Sequence, residues 1–318
     1  MPSQIKLRIC LLFLILLEFS YQPATRSVSF GQQAETEKSG QPPISPDPVL
    51  RAVLEKAGAY AREYRKLCRE LVAEEKLIQK EYDKKGKLKN QRLFTSDYLV
   101  VTLPSDPESP VEFRDIISID GKPIARKNQG LLELFRKKSA NAFEEAERVA
   151  QESTKHNLGR KRYSNMVNFG LNFILPEFHD RIVYQLIESG PALHDKTLLL
   201  EFREATDETA LRAETPFGQK PIPSKGRIWL TQPDAKVLKI DFTFKQDAEF
   251  YPIAGRYLSE YQPGPDNLLL PSRFEEYFYD LKVPDRVIFE SVASYSNFRR
   301  FSTEVRIVPE DPTPDLPK

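Results

Sequence analysis

The stretch from Arg181 to Ile307 constrains this chain most: apolar and polar residues alternate there in run after run. The runs are RIVYQLIES, KTLLLEFRE, GRIWLTQ, KVLKIDFTF, IAGRYLSEY, SRFEEYFYDL and RVIFESVASYSNFRRFSTEVRI, and turn clusters such as QPDA, QPGPDN and KVPD separate several of them. A period of two places successive side chains on opposite faces of a strand, so one face is buried and one wet, as antiparallel sheets permit. The clearest case sets Leu238, Ile240, Phe242 and Phe244 against Val237, Lys239, Asp241, Thr243 and Lys245. A large antiparallel sheet is therefore predicted, and the rest of the chain has to cover it.

The cover is helical. Asp47 followed by Pro48 is a helix start, with a capping carboxylate and then a residue whose missing N–H costs nothing in the first turn. From there to about Glu75, Leu50, Val53, Leu54, Ala57, Ala61, Tyr64, Leu67, Cys68 and Leu71 form one apolar stripe with Arg, Lys and Glu opposite. Two extended runs around a Lys/Gly turn follow, then VEFRDIISIDGKPI. In that last run Val111, Phe113, Ile117 and Ile119 share one face and Glu112, Arg114, Ser118 and Asp120 the other, which leaves Asp115 as a polar misfit among the apolar set. Residues 128 to 157 return to helical spacing, with Asn141 and Glu144 as a capping box and Gly159 as a stop. NMVNFGLNFILPEFHD is apolar without a period and reads as a short helix or a buried loop.

At the N-terminus, Lys6 and Arg8 precede an apolar run from Ile9 to Leu17. That run is too short to cross a bilayer, which takes roughly 20 residues, and reads as the core of an export signal. The expected organisation is an export signal over 1–29, a disordered linker over 30–46, one α+β domain over 47–308 and a disordered proline-rich tail over 309–318. Removing the signal takes Cys10 with it and leaves Cys68 alone, so no internal disulfide is expected. The spacing of Cys68 predicts a small buried hydrophobe.

Lys and Arg total 47 against 46 Asp and Glu, so no long-range field would gather nucleic acid. The 13 glycines form no phosphate-binding loop, no G-x-S-x-G elbow is present, and His156, His179 and His194 are scattered. No cofactor, metal or catalytic residue is expected. The adjacent pairs Glu74 with Glu75 and Glu275 with Glu276 diverge on a strand or a helix, so neither pair is placed to share a proton.

The last run contains YSNFRRF, residues 295 to 301. Regular alternation from Arg286 to Ile307 puts Val287, Phe289, Ala293, Tyr295, Phe301, Val305 and Ile307 on the buried face. Asn297 and Arg299 then point inward and Arg300 to solvent. A buried arginine keeps its charge and needs a carboxylate or carbonyls. Three readings stand: an ion pair of Arg299 with Asp115, a bulge that turns Arg299 outward, or a polar spot lining a concave ligand cavity. The candidate ligand-binding residues are Arg299, Asn297, Asp115 and Tyr295.

The segments FRDIISIDGKPI, GRIWL with KVLKIDF, and ASYSNFRRF resemble an uncharacterised family of exported bacterial proteins over about Val49 to Ile307. That resemblance implies no activity and no catalytic residues. The order of elements, with GRIWLTQPDAKVLKIDF as a central hairpin, is also similar to periplasmic lipoprotein carriers and outer-membrane lipoprotein-sorting proteins. This second resemblance implies a curved antiparallel sheet, open like a half-barrel, with helices packed on its concave face over an apolar cavity. The chain departs from those proteins in length and in its helices around residues 128 to 157.

The resulting expectation is an α+β, non-enzymatic, periplasmic or secreted protein. It would hold a lipid or acyl chain between the sheet and the amphipathic helix, with Trp229, Phe242, Phe244, Tyr257, Tyr261, Phe274, Tyr277, Phe278 and Tyr279 as the aromatic lining. The alternative is an envelope scaffold that binds a protein partner and has no small-molecule site. Neither expectation includes nucleic acid or a transmembrane span in the mature chain.

Overall fold

The computed structural model describes residues 47–300 apart from 70, 104–105, 125–129, 137–141, 159–166, 188–195, 216–217, 247–252, 265–267 and 284. The segments expected as export signal, linker and tail, together with Asn141, Gly159, His194, Phe301, Val305 and Ile307, lie outside the described residues.

Helix α1 spans Pro48–Leu67, capped by Asp47, whose carboxylate accepts from the backbone N–H of Val49 at 2.9 Å. It ends at Leu67 rather than near Glu75, with Cys68 as its C-cap. Leu71 fits a helical stripe three residues after Cys68, but it begins strand β1 (Leu71–Tyr82), where burial alternates through Glu75, Leu77 and Gln79. Strands β2 (Leu88–Leu103), β3 (Asp106–Ile119) and β4 (Lys122–Pro123) continue as an antiparallel meander. Helices α2 (Leu131–Arg136) and α3 (Ala142–Thr154) come next, and then the aperiodic stretch folds as two 3-10 helices, Phe169–Ile174 and Pro176–Arg181.

The strand-rich half supplies β5 (Ile182–Ile187), β6 (Thr197–Glu204), β7 (Leu211–Thr215), β8 (Gly218–Ile222), β9 (Ser224–Thr231), β10 (Val237–Gln246), β11 (Ile253–Pro263), β12 (Leu269–Tyr279) and β13 (Val287–Arg300). Eleven strands make one sheet in the order β4-β3-β2-β1-β13-β12-β11-β10-β9-β6-β5. Its two end strands do not pair with each other, so the sheet is open. β7 and β8 form a separate hairpin that the sequence reading did not anticipate.

One face of the sheet, the inner face, carries the main core under α1 and the 3-10 helices. Edge-to-face rings knit it together: Phe173 meets Phe242 at 4.9 Å, Tyr257 meets Phe244 at 5.0 Å and Tyr257 meets Phe274 at 5.5 Å. Phe244 also lies over Gly255, where an added Cβ would come within 2.3 Å of the ring. Of the nine aromatics expected to line a cavity, Phe242, Phe244, Tyr257, Tyr261, Phe274 and Phe278 belong to this packed core. Trp229, Tyr277 and Tyr279 alternate to the other face, where Lys239 sits 5.4 Å over the Trp229 ring.

The placement of the inserted helices is a correction. α2 and α3 do not share the inner face with α1; Leu131, Phe135 and Ala146 pack on Val72, Leu99, Val101 and Phe113, which alternate to the outer face. Strands β1 to β3 are therefore covered on both sides at that end. Elsewhere the outer face carries cross-strand ion pairs, including Arg256 with Asp241 at 2.6 Å and Lys239 with Glu260 at 3.1 Å.

Candidate functional site

Coverage on both faces changes the reading of β3. Val111 and Phe113 do pack, but against α2 and α3, while Glu112, Arg114 and Ile116 point to the inner face. A bulge at Ile117 then resets the phase, since Ser118 lies opposite Thr95 but Ile116 lies opposite Ser96. The residues taken for a solvent face thus supply a buried polar cluster.

Its frame is a row of cross-strand neighbours on the inner face, Tyr295, Glu75, Ser96 and Ile116, on β13, β1, β2 and β3. Glu75 and Ser96 are fully buried. Arg114 grips the Glu75 carboxylate at two points, through Nε to Oε2 and through Nη2 to Oε1 at 3.0 Å. The Tyr98 ring stacks edge-on against Tyr295 with centroids 5.0 Å apart. Above them Asn168, leading into the first 3-10 helix, donates from Nδ2 to the Tyr98 hydroxyl at 3.0 Å and from its backbone N–H to Glu112 Oε1 at 3.2 Å. Tyr64 of α1 closes the top, donating its hydroxyl to Asn168 Oδ1 at 3.0 Å. Ser259 and Tyr261 hold the same segment through the Val167 carbonyl, at 2.6 and 3.0 Å.

Burial dominates the electrostatics. It pushes the Glu112 carboxyl up to about 7, against the pull of the Tyr98 hydroxyl and the Asn168 and Val167 backbone. Burial, helped by Glu112 beside Tyr98 and by Glu75 beside Tyr295, raises both phenols well above their usual range and keeps them neutral. Cys68 lies buried and unpaired near this cluster, its thiol pushed up to about 12 by burial, which makes it a packing group rather than a nucleophile. Three buried polar atoms of the cluster lack a well-formed hydrogen bond: Glu112 Oε2, Ser96 Oγ and the Tyr295 hydroxyl.

Of the four residues predicted for the site, only Tyr295 is here. Asn297 adopts φ +54° and marks a bulge, because Arg299 lies opposite Val72 while Ser296 lies opposite Glu74. After that extra residue Phe298 packs toward the core, and Arg299 emerges on the outer face. The bulge reading is therefore the one the backbone adopts, and inward pointing of Asn297 and Arg299 is corrected. Asn297 donates to Glu74 at 2.8 Å, and Arg299 approaches Asp97 at 3.7 Å. Asp115 is the direct cross-strand neighbour of Asp97, yet its carboxylate accepts from the backbone N–H of Leu131 at 2.8 Å, at the start of α2. The structure brings Arg299 to the neighbour of Asp115 and does not pair the two.

Glu75, Ser96, Tyr98, Glu112, Arg114 and Asn168 were missed. The signal was present in β1, where Glu75 occupies the same phase as Ala73 and Leu77. Among the described residues no three His, Cys, Asp or Glu converge as a metal site, and no helix is long and apolar enough to cross a membrane.

No protein-family profile and no curated protein sequence matches this chain. Among solved structures, a LolA superfamily protein from Nitrosomonas europaea matches at 13% identity and TM-score 0.32, covering 79% of this chain and 93% of its own. A DUF1329 family protein from Desulfovibrio piger matches at 12% identity and TM-score 0.38, over 80% of this chain and 93% of its own. At these scores neither likeness carries an argument about function.

Proposed function

We propose that this chain is an exported, non-enzymatic envelope protein that takes up a lipid or acyl chain between the inner face of the sheet and α1, with α1 as a lid. The observation that carries the reading is how α1 is attached. Its buried stripe includes Ala57, Gly58 and Ala61, small enough that Gly58 abuts Pro176, where a Cβ would lie 2.9 Å from the ring. The side-chain bonds that tether it include those from Arg62 to Glu177 and from Arg65 to Asn172 in the 3-10 helices, from Tyr64 to Asn168 just before them, and from Lys56 to the Pro233 carbonyl. The sheet's ladder of eleven strands is complete without the helix. Lifting α1 would uncover Tyr261, on which the Tyr64 ring rests edge-on at 6.0 Å, beside the buried polar cluster, an aromatic surface next to polar groups that suits an amphiphile. Native mass spectrometry of the purified chain before and after solvent extraction tests this. Bound lipid in the first sample, with rebinding of a long-chain alcohol or acid by the second, supports it; no bound lipid and no uptake sinks it.

A second reading, an envelope scaffold without a small-molecule site, is favoured by the ring packing that fills the inner face and by Ile78 and Leu93. These two are cross-strand neighbours on the outer face, each 38% exposed. Crosslinking in envelope extracts that captures one partner through an Ile78 photo-probe supports it, provided that lipid uptake is absent.

A further inference from the structure

We infer that the buried cluster of Glu112, Tyr295, Ser96 and Tyr98 is a head-group site selective for a neutral, hydroxyl-bearing amphiphile and against a carboxylate. The inference rests on the lid reading above and specifies what the lid would admit. Three observations converge on it. Charge comes first: Glu75 and Arg114 are joined as a two-point pair, and Glu112 is a second buried acid of the cluster. The second is hydrogen-bonding capacity only loosely engaged, with Tyr98 beside Glu112 and Glu75 beside Tyr295. Glu112 Oε2, Ser96 Oγ and the Tyr295 hydroxyl are buried without a well-formed bond, and together they offer acceptors with two rotatable donors. Their strands are neighbours, since Tyr295, Glu75 and Ser96 sit side by side and the Tyr98 ring rests on Tyr295.

The third is the lid itself. Tyr64 is a neutral hydroxyl at the end of an apolar body, and α1 inserts it so that it donates to Asn168, which in turn donates to Tyr98 and Glu112. Burial keeps that phenol protonated. The closed state thus already displays the kind of group the cluster accommodates. A ligand hydroxyl entering as α1 lifts would replace Tyr64 at Asn168 and compete for the Glu112, Ser96 and Tyr295 oxygens behind it. A carboxylate would meet Glu112 in a desolvated site, where like charges repel.

The test uses the full-length mature chain, delipidated, with pyrene-labelled probes of equal chain length, one ending in an alcohol and one in a carboxylic acid, titrated at pH 8. The alcohol is expected to bind about tenfold more tightly or better. Glu112→Gln is expected to close most of that gap by strengthening the acid. Tyr295→Phe is expected to weaken the alcohol several-fold while leaving the acid unchanged, and it serves where Glu112→Gln melts early. Equal binding of the two probes overturns the selectivity while leaving the lid reading intact, and uptake of neither overturns both. Unchanged alcohol affinity in Tyr295→Phe also overturns the site assignment.

Discussion

Arg114 holds Glu75 by two hydrogen bonds between adjacent layers of the inner face, and both side chains are sealed from solvent. Such a pair adds little over a well-packed apolar substitute, but removing one partner strands a charge. Arg114→Met is expected to cost about 3–5 kcal/mol in denaturant unfolding. Glu75→Gln combined with Arg114→Met should recover at least half of that loss. Additive losses in the double variant would contradict the pairing.

Stability should fall as pH rises through neutrality. The Glu112 carboxyl titrates near 7 when folded against an ordinary 4.5, so the folded chain holds its proton more tightly than the unfolded chain. The associated stability is fully present below about 4.5 and is lost as pH climbs through about 7, a change of about 3 kcal/mol. Urea melts at pH 5 and pH 8 should show this slope in the native chain. Glu112→Gln should flatten it, and an unchanged slope in that variant would assign the effect elsewhere.

Asp115→Ala should loosen α2 rather than the sheet. Its carboxylate satisfies the first backbone N–H of a six-residue helix, a bond of the capping type whose loss costs about 1 kcal/mol. Hydrogen exchange at residues 131–136 should accelerate while exchange in β1 and β13 stays slow.

Asn297→Gly should be nearly neutral and Asn297→Val should cost about 1–2 kcal/mol, since φ of +54° suits glycine and asparagine and strains a β-branched residue. Thermal melts separate the two. Equal stability of both variants would show that the bulge is not held by this residue.

Period-two spacing placed most of the strands of the second half correctly, because those strands have one wet face, rich in ion pairs, and one packed face. The same rule failed in β3, where Phe113 and Glu112 are both covered, by α2 and α3 on one side and by Asn168 on the other. Alternation reports a difference between faces, and where both are covered it picks the more apolar one. It failed again at Asn297, because one inserted residue inverts every later side chain and no local composition marks the insertion. The aromatic residues of the core were visible as aromatic, but whether they line a cavity or interlock depends on ring positions that only three-dimensional packing sets. The end of α1 was misplaced because Leu71 suits both a helical stripe and a strand.

The position of β13 has a consequence for how the chain is made. It lies between β1 and β12 and joins the meander of β1 to β4 with the later strands, yet it comes last in chain order among the described strands. Glu74 and Asn297, which meet across that seam, are 223 residues apart in the chain. Until β13 emerges, the two part-sheets expose bare edges at β1 and β12, each able to zip onto another copy. A chain cut short before residue 287 should therefore accumulate as aggregate rather than as a smaller soluble domain.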